Sequence, residues 1–221
     1  MVQRALGGWR LRASGGYTGR ANSALTSGDP GLPGPAALAE VIHFARRHEI
    51  RPYAQVVVGS PWESVLSQAG WSVNLAHPKG AESAVLSAPL SADGCGATVY
   101  DNPPPGWLEV AVRGPVSENQ RQILTGGPKV GFASIACGGE IAGVARGCVV
   151  GTWLHIAVLE VRQEYRRRGL GRQLLSDLDT WAAQEGATDR VLQVSVDNEV
   201  ALGIYQDLGY AESHRYRYWA P

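Results

Sequence analysis

The chain has 221 residues, of which 44% are hydrophobic, enough to build a core for one large domain or two modest ones and too many for a disordered chain. Lys+Arg and Asp+Glu balance at 20 each, so no overall field draws the protein to nucleic acid or to a membrane surface, and any anion site must be local. The opening "MVQRALGGWRLRASGG" lacks the apolar core of a signal peptide, and nowhere do about 18 apolar residues run together, so the expectation is a soluble, cytoplasmic protein.

In chain order, "WRLR" reads as a short strand and the Gly/Ser/Pro-rich tract "GGYTGRANSALTSGDPGLPGP" as a long loop. From Ala36 to His48, Leu38, Val41, Ile42 and Ala45 recur at helical spacing until Pro52 forbids continuation. "AQVVVG" is an apolar strand. "SPWESVLSQAG" is a helix with Ser60 as cap, Pro61 as first residue and Gly70 as stop, and "WSVNLA" is a second strand.

The middle of the chain offers a strand in "AVLSAPL", helical stretches in "PPPGWLEVAV" and "SENQRQIL", and two strands about a Gly-Gly turn in "VGFASIACGGEIAGVARGCVV". "TWLHIAVLEV" follows, nearly all apolar, as a strand covered on both faces should be. Next comes an amphipathic helix, "LGRQLLSDLDTWAAQEG", with Leu170, Leu174, Leu178 and Trp181 on one face and Gly186 as terminator. "VLQVSV" is a strand, "NEVALGIYQDLG" a helix and "YAESHRYRYW" a closing strand.

Residues 36–76 and the last fifty residues therefore share the order helix, strand, helix, strand. When Gly70-Trp71 is laid on Gly209-Tyr210, Gln55-Val56 falls one position from Gln193-Val194. This spacing suggests a weak internal duplication, with chance agreement of two generic α/β runs as its alternative.

The chemistry concentrates in "EYRRRGLGRQLL". A helix begins with backbone N–H groups that lack carbonyl partners, and its dipole makes that end an anion receptor. Glycines at such a mouth let a phosphate approach the amides, so Gly169 and Gly171 admit the ligand while Arg166, Arg167, Arg168 and Arg172 neutralise it. A solvated basic turn is the plain alternative. A dinucleotide fingerprint is excluded because no third glycine follows Gly171, and a P-loop because no GK[ST] follows.

The strand "LHIAVLEV", the stretch "RQEYRRRGLGRQLL" and the segment "LQVSVDNEVALGIYQDLGY" together resemble the GNAT superfamily of N-acetyltransferases, over the chain from about residue 82 onward. Arg166-x-x-Gly169-x-Gly171 fits that family's diphosphate signature, and Asn198, Ala201, Tyr205 and Gly209 fit its second motif. The resemblance implies an α/β fold with a mixed central sheet, splayed parallel strands and flanking helices. It implies a transferase domain over residues 82–221, preceded by a degenerate α/β half over residues 1–80.

It also implies acetyl-CoA as co-substrate and a primary amine as acceptor, with no metal. The diphosphate would rest on Arg166, Arg167, Arg168, Gly169, Leu170, Gly171 and Arg172, and the pantetheine arm would enter as a pseudo-strand against Leu159 and Val161. Asn198 either caps its helix or bonds that arm. Tyr205 takes the place of the family's acid for the departing thiolate, since its phenol is protonated at neutral pH. For the base, His155 and Glu160 are the two polar residues of the buried strand, the plain alternatives being a satisfied core histidine and a carboxylate paired with an arginine. Their opposite parity lets only one face the acceptor unless a bulge intervenes.

Tyr17, Arg20 and Asn22 crowd polar and aromatic groups into the glycine-bordered loop, a candidate acceptor contact whose alternative is an ordinary connector. Cys95, Cys137 and Cys148 lie too far apart for a zinc knuckle and read as reduced packing residues. Ser195, Asp197 and His214 form no nucleophile motif. Two other classes compete with the enzyme: a catalytically silent CoA-binding or partner-binding module, and a nucleic-acid contact that the neutral total charge disfavours.

Overall fold

Apolar periodicity becomes structure in a computed structural model that describes residues 1–78, 80–91 and 98–221. Cys95 lies outside the described residues, whereas Cys137 and Cys148 are free thiols and Cys148 is buried. The chain divides into two compact units, one made of Met1–Val85, Val194–Leu208 and Glu212–Pro221, the other of Leu86–Gln193 and Gly209–Ala211.

In the first unit, β1 (Val2–Leu6) and β2 (Trp9–Ala13) form an antiparallel hairpin. β3 (Ala24–Leu25), inside the expected loop, adds antiparallel to β2. Helix α1 (Gly34–Arg47) buries Leu38, Val41, Phe44 and Ala45, and it crosses over to β4 (Ala54–Val57), which runs parallel to β3. Helix α2 (Pro61–Gln68) and the two-residue β5 (Ser72–Val73) follow. Ser60 occupies the N-cap position of α2 but its side chain caps nothing; Glu63 instead accepts from the Gly59 N–H at 2.8 Å. The core gathers Trp9, Leu11, Val56, Leu66 and Trp71 against α1, with Trp219 inserted from the far end of the sequence.

β6 (Glu82–Pro89) carries the chain into the second unit, where β7 (Thr98–Tyr100) precedes α3 (Trp107–Val112) and α4 (Glu118–Thr125). A capping box closes the start of α4: Ser117 accepts from the Gln120 N–H while the Gln120 side chain accepts from the Ser117 N–H. β8 (Val130–Cys137) and β9 (Glu140–Val150) turn at Gly138 and Gly139, both at positive φ. β10 (Trp153–Val161) lies antiparallel to β9, and α5 (Leu170–Gln184) crosses over to β11 (Asp189–Ser195), parallel to β10. The sheet order here is β7-β8-β9-β10-β11, and α5 covers it with Leu174, Leu175 and Leu178 fully buried. Gly186, at φ 88, ends α5 as its position predicts.

The chain returns to the first unit along β11 and through α6 (Glu199–Asp207). The last strand, β12 (Ala211–Ala220), pairs antiparallel with β4, Tyr218 opposite Gln55, and with β5, Trp219 opposite Val73. Among the described residues no helix is long and apolar enough to cross a membrane, and no group of three His, Cys, Asp or Glu side chains is placed to hold a metal ion.

Candidate active site

In the second unit the site is built on a fault in β10. Its ladder with β9 slips between Ile156 and Val158, so Ala157 forms a bulge. Its parallel ladder with β11 stops at the same place, the last pair being Ile156 with Leu192. Val158 to Val161 pair with β9 alone among the described residues, leaving the other edge of the strand without a ladder. Leu159 and Val161 lie in this stretch.

The bulge also settles the parity of the two polar residues. His155 faces Cys148 and Glu160 faces Val144, partners four apart on β9, so both side chains lie on one face of the sheet. His155 Nε2 sits 3.1 Å from Gln193 Oε1. Glu160 is held by two guanidiniums, Arg113 at 2.6 Å and Arg166 at 3.1 Å, one on each carboxylate oxygen. Sequence reading missed Arg113: it sits 47 positions from Glu160 and reaches it from the left-handed end of α3, and no local pattern announces that meeting.

The arginine loop begins at the end of β10. Arg166 folds back, donating through Nε to the Val161 carbonyl at 3.0 Å and through Nη2 to Glu160. Arg168 donates to the Glu164 carbonyl at 3.2 Å, with its guanidinium 5.4 Å from the Tyr165 ring centroid. Arg167 takes φ 60 and Gly169, the N-cap, takes φ 79; no side chain caps the helix. The first intrahelical acceptor is Gly169 O, bonded by the Gln173 N–H, so the N–H groups of Leu170, Gly171 and Arg172 point out of the helix mouth. A Cβ built on Gly171 would meet only Leu159 Cδ2, at an ordinary 3.9 Å. On the protein side that glycine has room to spare.

The first unit holds the remaining candidates. Asn198 caps α6, its Oδ1 accepting from the Ala201 N–H at 3.2 Å. Tyr205 on α6 is 8% exposed, and burial pushes its phenol pKa above the usual value, which keeps it protonated. In the glycine-bordered loop Asn22 is buried and fully engaged. Its Oδ1 accepts from the Ser14 and Gly16 N–H groups, and its Nδ2 donates to the Tyr17 and Thr18 carbonyls. Asn22 therefore shapes the loop that presents Tyr17 and Arg20, both half-buried.

Comparison with known proteins gives the chain a family. The family described as "Probable histone acetyltransferase Rv0428c C-terminal" matches residues 1–219. A stretch of 66 residues is 36% identical to N-alpha-acetyltransferase 30 of Schizosaccharomyces pombe, covering 29% of this chain and 44% of that protein. One of 67 residues is 33% identical to aminoglycoside N(6')-acetyltransferase type 1 of Acinetobacter baumannii, covering 29% and 46%. The chain thus matches less than half the length of these relatives.

Among solved structures, a GCN5-related N-acetyltransferase from Kribbella flavida superposes with a TM-score of 0.67 at 18% identity, covering 99% of this chain and 88% of that one. A tandem GNAT protein from the clavulanic acid biosynthesis pathway does so at 0.64 and 16%, covering 96% and 77%. At such identities the likeness speaks for the fold, and the family match over nearly every residue speaks for descent. The chain belongs to the family described as Probable histone acetyltransferase Rv0428c C-terminal and has the GNAT fold.

Proposed function

We propose that the protein is an N-acetyltransferase that moves an acetyl or other short acyl group from acetyl-CoA to a primary amine by direct attack in a ternary complex. The observation that carries this reading is the uncapped mouth of α5 placed directly after a bulged strand whose parallel ladder has ended. Three outward amides, with Arg167 and Arg172 beside them, suit a diphosphate; the ladder-free edge at Leu159 and Val161 suits an extended pantetheine amide chain. Family membership and the names of the relatives, acetyltransferases of protein N-termini and of aminoglycosides, support transfer to an amine.

Acetyl-CoA would supply an activated acyl carbon, and this chain's residues would do the rest. Arg166, anchored by Glu160, and Arg168, stacked on Tyr165, stiffen the loop, while Arg167 and Arg172 supply charge. The Val161 N–H is the donor for the acyl oxygen. Tyr205 gives its proton to the departing sulfur. His155, whose Nε2 lies 3.1 Å from Gln193 Oε1, or Glu160, ion-paired to two arginines, takes the proton that the ammonium loses before the neutral amine attacks. Tyr17 and Arg20 contact the acceptor.

Residues 82–221 form the transferase domain in this reading, and residues 1–80 a degenerate copy of it. Two matching ladders support the duplication: β1-β2-β3-β4 and β8-β9-β10-β11 each run antiparallel, antiparallel, parallel, with a helix in the parallel crossover. The first copy has proline before and inside the opening turn of α1 and no arginine there, so it lacks the anion seat.

The test is thiol release from acetyl-CoA across an amine panel, with calorimetry for CoA. Turnover is expected, and Tyr205→Phe should lower kcat about 100-fold while leaving CoA affinity in place. CoA uptake without turnover on any amine would convert the reading to a silent binding module; no uptake at all would end it.

A further inference from the structure

The first unit contains two neighbouring arginines, Arg12 and Arg20, that no described carboxylate pairs with. β2 sends Trp9, Leu11 and Ala13 to the core, so Arg12 leaves by the opposite face, and β12 alternates in the same sense, with Trp219 in the core and Tyr218 on that other face. Arg12 Nε is buried and bonds to nothing, while one Nη donates to Ser23 Oγ at a long 3.4 Å. Arg20, close enough for its charge to act on Arg12, makes no hydrogen bond or ion pair with any described residue. No described carboxylate forms an ion pair with either of the two.

The surroundings do not provide the missing charge. Burial lowers the basicity of Arg12, the Tyr218 and Tyr216 phenols oppose that and Arg20 adds to it; burial lowers His77 too, the Gly80 carbonyl opposing and Arg20 adding, and His77 stacks on Tyr218 at 3.9 Å. Burial holds Tyr218 firmly in its neutral form. Buried donors are nearly always satisfied, and a guanidinium taken from water without a counter-charge is costly. The orphaned Nε–H of Arg12 and the unpaired charge of Arg20 beside it have a common explanation in an anionic ligand.

We propose that Arg12, with Arg20, binds the carboxylate or phosphate group of a small ligand, the Arg12 fork taking two of its oxygens. Arg20 also belongs to the acceptor loop, so an acceptor bearing such a group is the natural occupant. That assignment rests on the transferase reading, whereas anion uptake does not.

The test uses the full chain labelled with 15N and reads the arginine Nε–H resonances, Arg12 being assigned from the signal lost in Arg12→Lys or, if that variant does not fold, by through-bond correlation. Sodium benzoate and sodium phosphate are titrated separately against sodium chloride at equal ionic strength. A saturable shift of the Arg12 signal with either anion, absent with chloride and weakened about tenfold in Arg20→Gln, is the expected result, and the tighter of the two names the group. No saturable shift with either, or an equal one with chloride, would overturn the site and leave the transfer assay untouched. A failed transfer assay would in turn leave these titrations standing.

Discussion

Gly169 and Gly171 are two residues apart and do different work. Gly169 sits at φ 79 with open space where a methyl group would stand, so its demand is conformational; Gly171 is ordinary helix with room on the protein side, so only the proposed CoA seat would require its bareness. Gly169→Ala should therefore cost about 1 kcal/mol in thermal or urea unfolding. Gly171→Leu should leave stability unchanged or slightly improved, because glycine is the poorer helix former, yet weaken CoA at least tenfold by calorimetry. Equal CoA affinity in the Leu variant would mean that the amides are not the seat. The Arg-x-x-Gly-x-Gly motif was legible in sequence because a local run of chain makes it. The pairing of Arg113 with Glu160, and the use of every polar atom of Asn22 within its own loop, were not, since each depends on where distant or curled backbone arrives.

At the scale of elements, long and strongly periodic segments were readable: α1, α5, β9 and β10 lie close to where their apolar spacing puts them. β1, β3 and β7 were not, because β1 is mostly exposed and the other two span two and three residues, too short for a period to show. The clamp between α5 and β11 was equally hidden. Asp179, fully buried beneath the helix, is ion-paired with Arg190 of β11 and accepts from the Ser91 N–H at 3.2 Å. Arg190 in turn lies 4.5 Å from the Tyr210 ring centroid.

Burial outweighs these partners and raises the Asp179 pKa from 3.8 to about 6. A folded-state pKa above the unfolded one means that the folded protein binds the proton more tightly. The contribution of this group is thus most favourable below about pH 4, declines as pH rises to about 6, and is flat beyond, a span of about 3 kcal/mol. Unfolding free energies of wild type minus Asp179→Asn, measured by urea from pH 4 to 8, should trace that decline and plateau. A difference that climbs with pH would mean that Arg190 dominates the balance.

For the whole molecule, the order of secondary structure was written in the sequence, but the partnership of its last strand was not. "YAESHRYRYW" reads as a strand, and nothing in it names β4, some 160 residues earlier, as its neighbour. Alternation fixes which face of a strand is buried, not which edge it joins. A consequence can be measured: residues 1–80 expressed alone lack β12 and the Trp219 that fills their core, and should show neither cooperative unfolding nor dispersed amide resonances. A well-dispersed spectrum from that fragment would show that β12 is dispensable to it.

Proteins leave the ribosome amino end first, and this one makes an essential piece of its earlier half only when β12 is reached. Until then the nascent half presents β4 as an open edge, a template for mispairing with other chains that chaperones would have to shield. Truncated products, from a premature stop or a stalled message, would lack that strand and be left to proteases. Only a chain read through β12 can close that half, so late synthesis is itself a folding step.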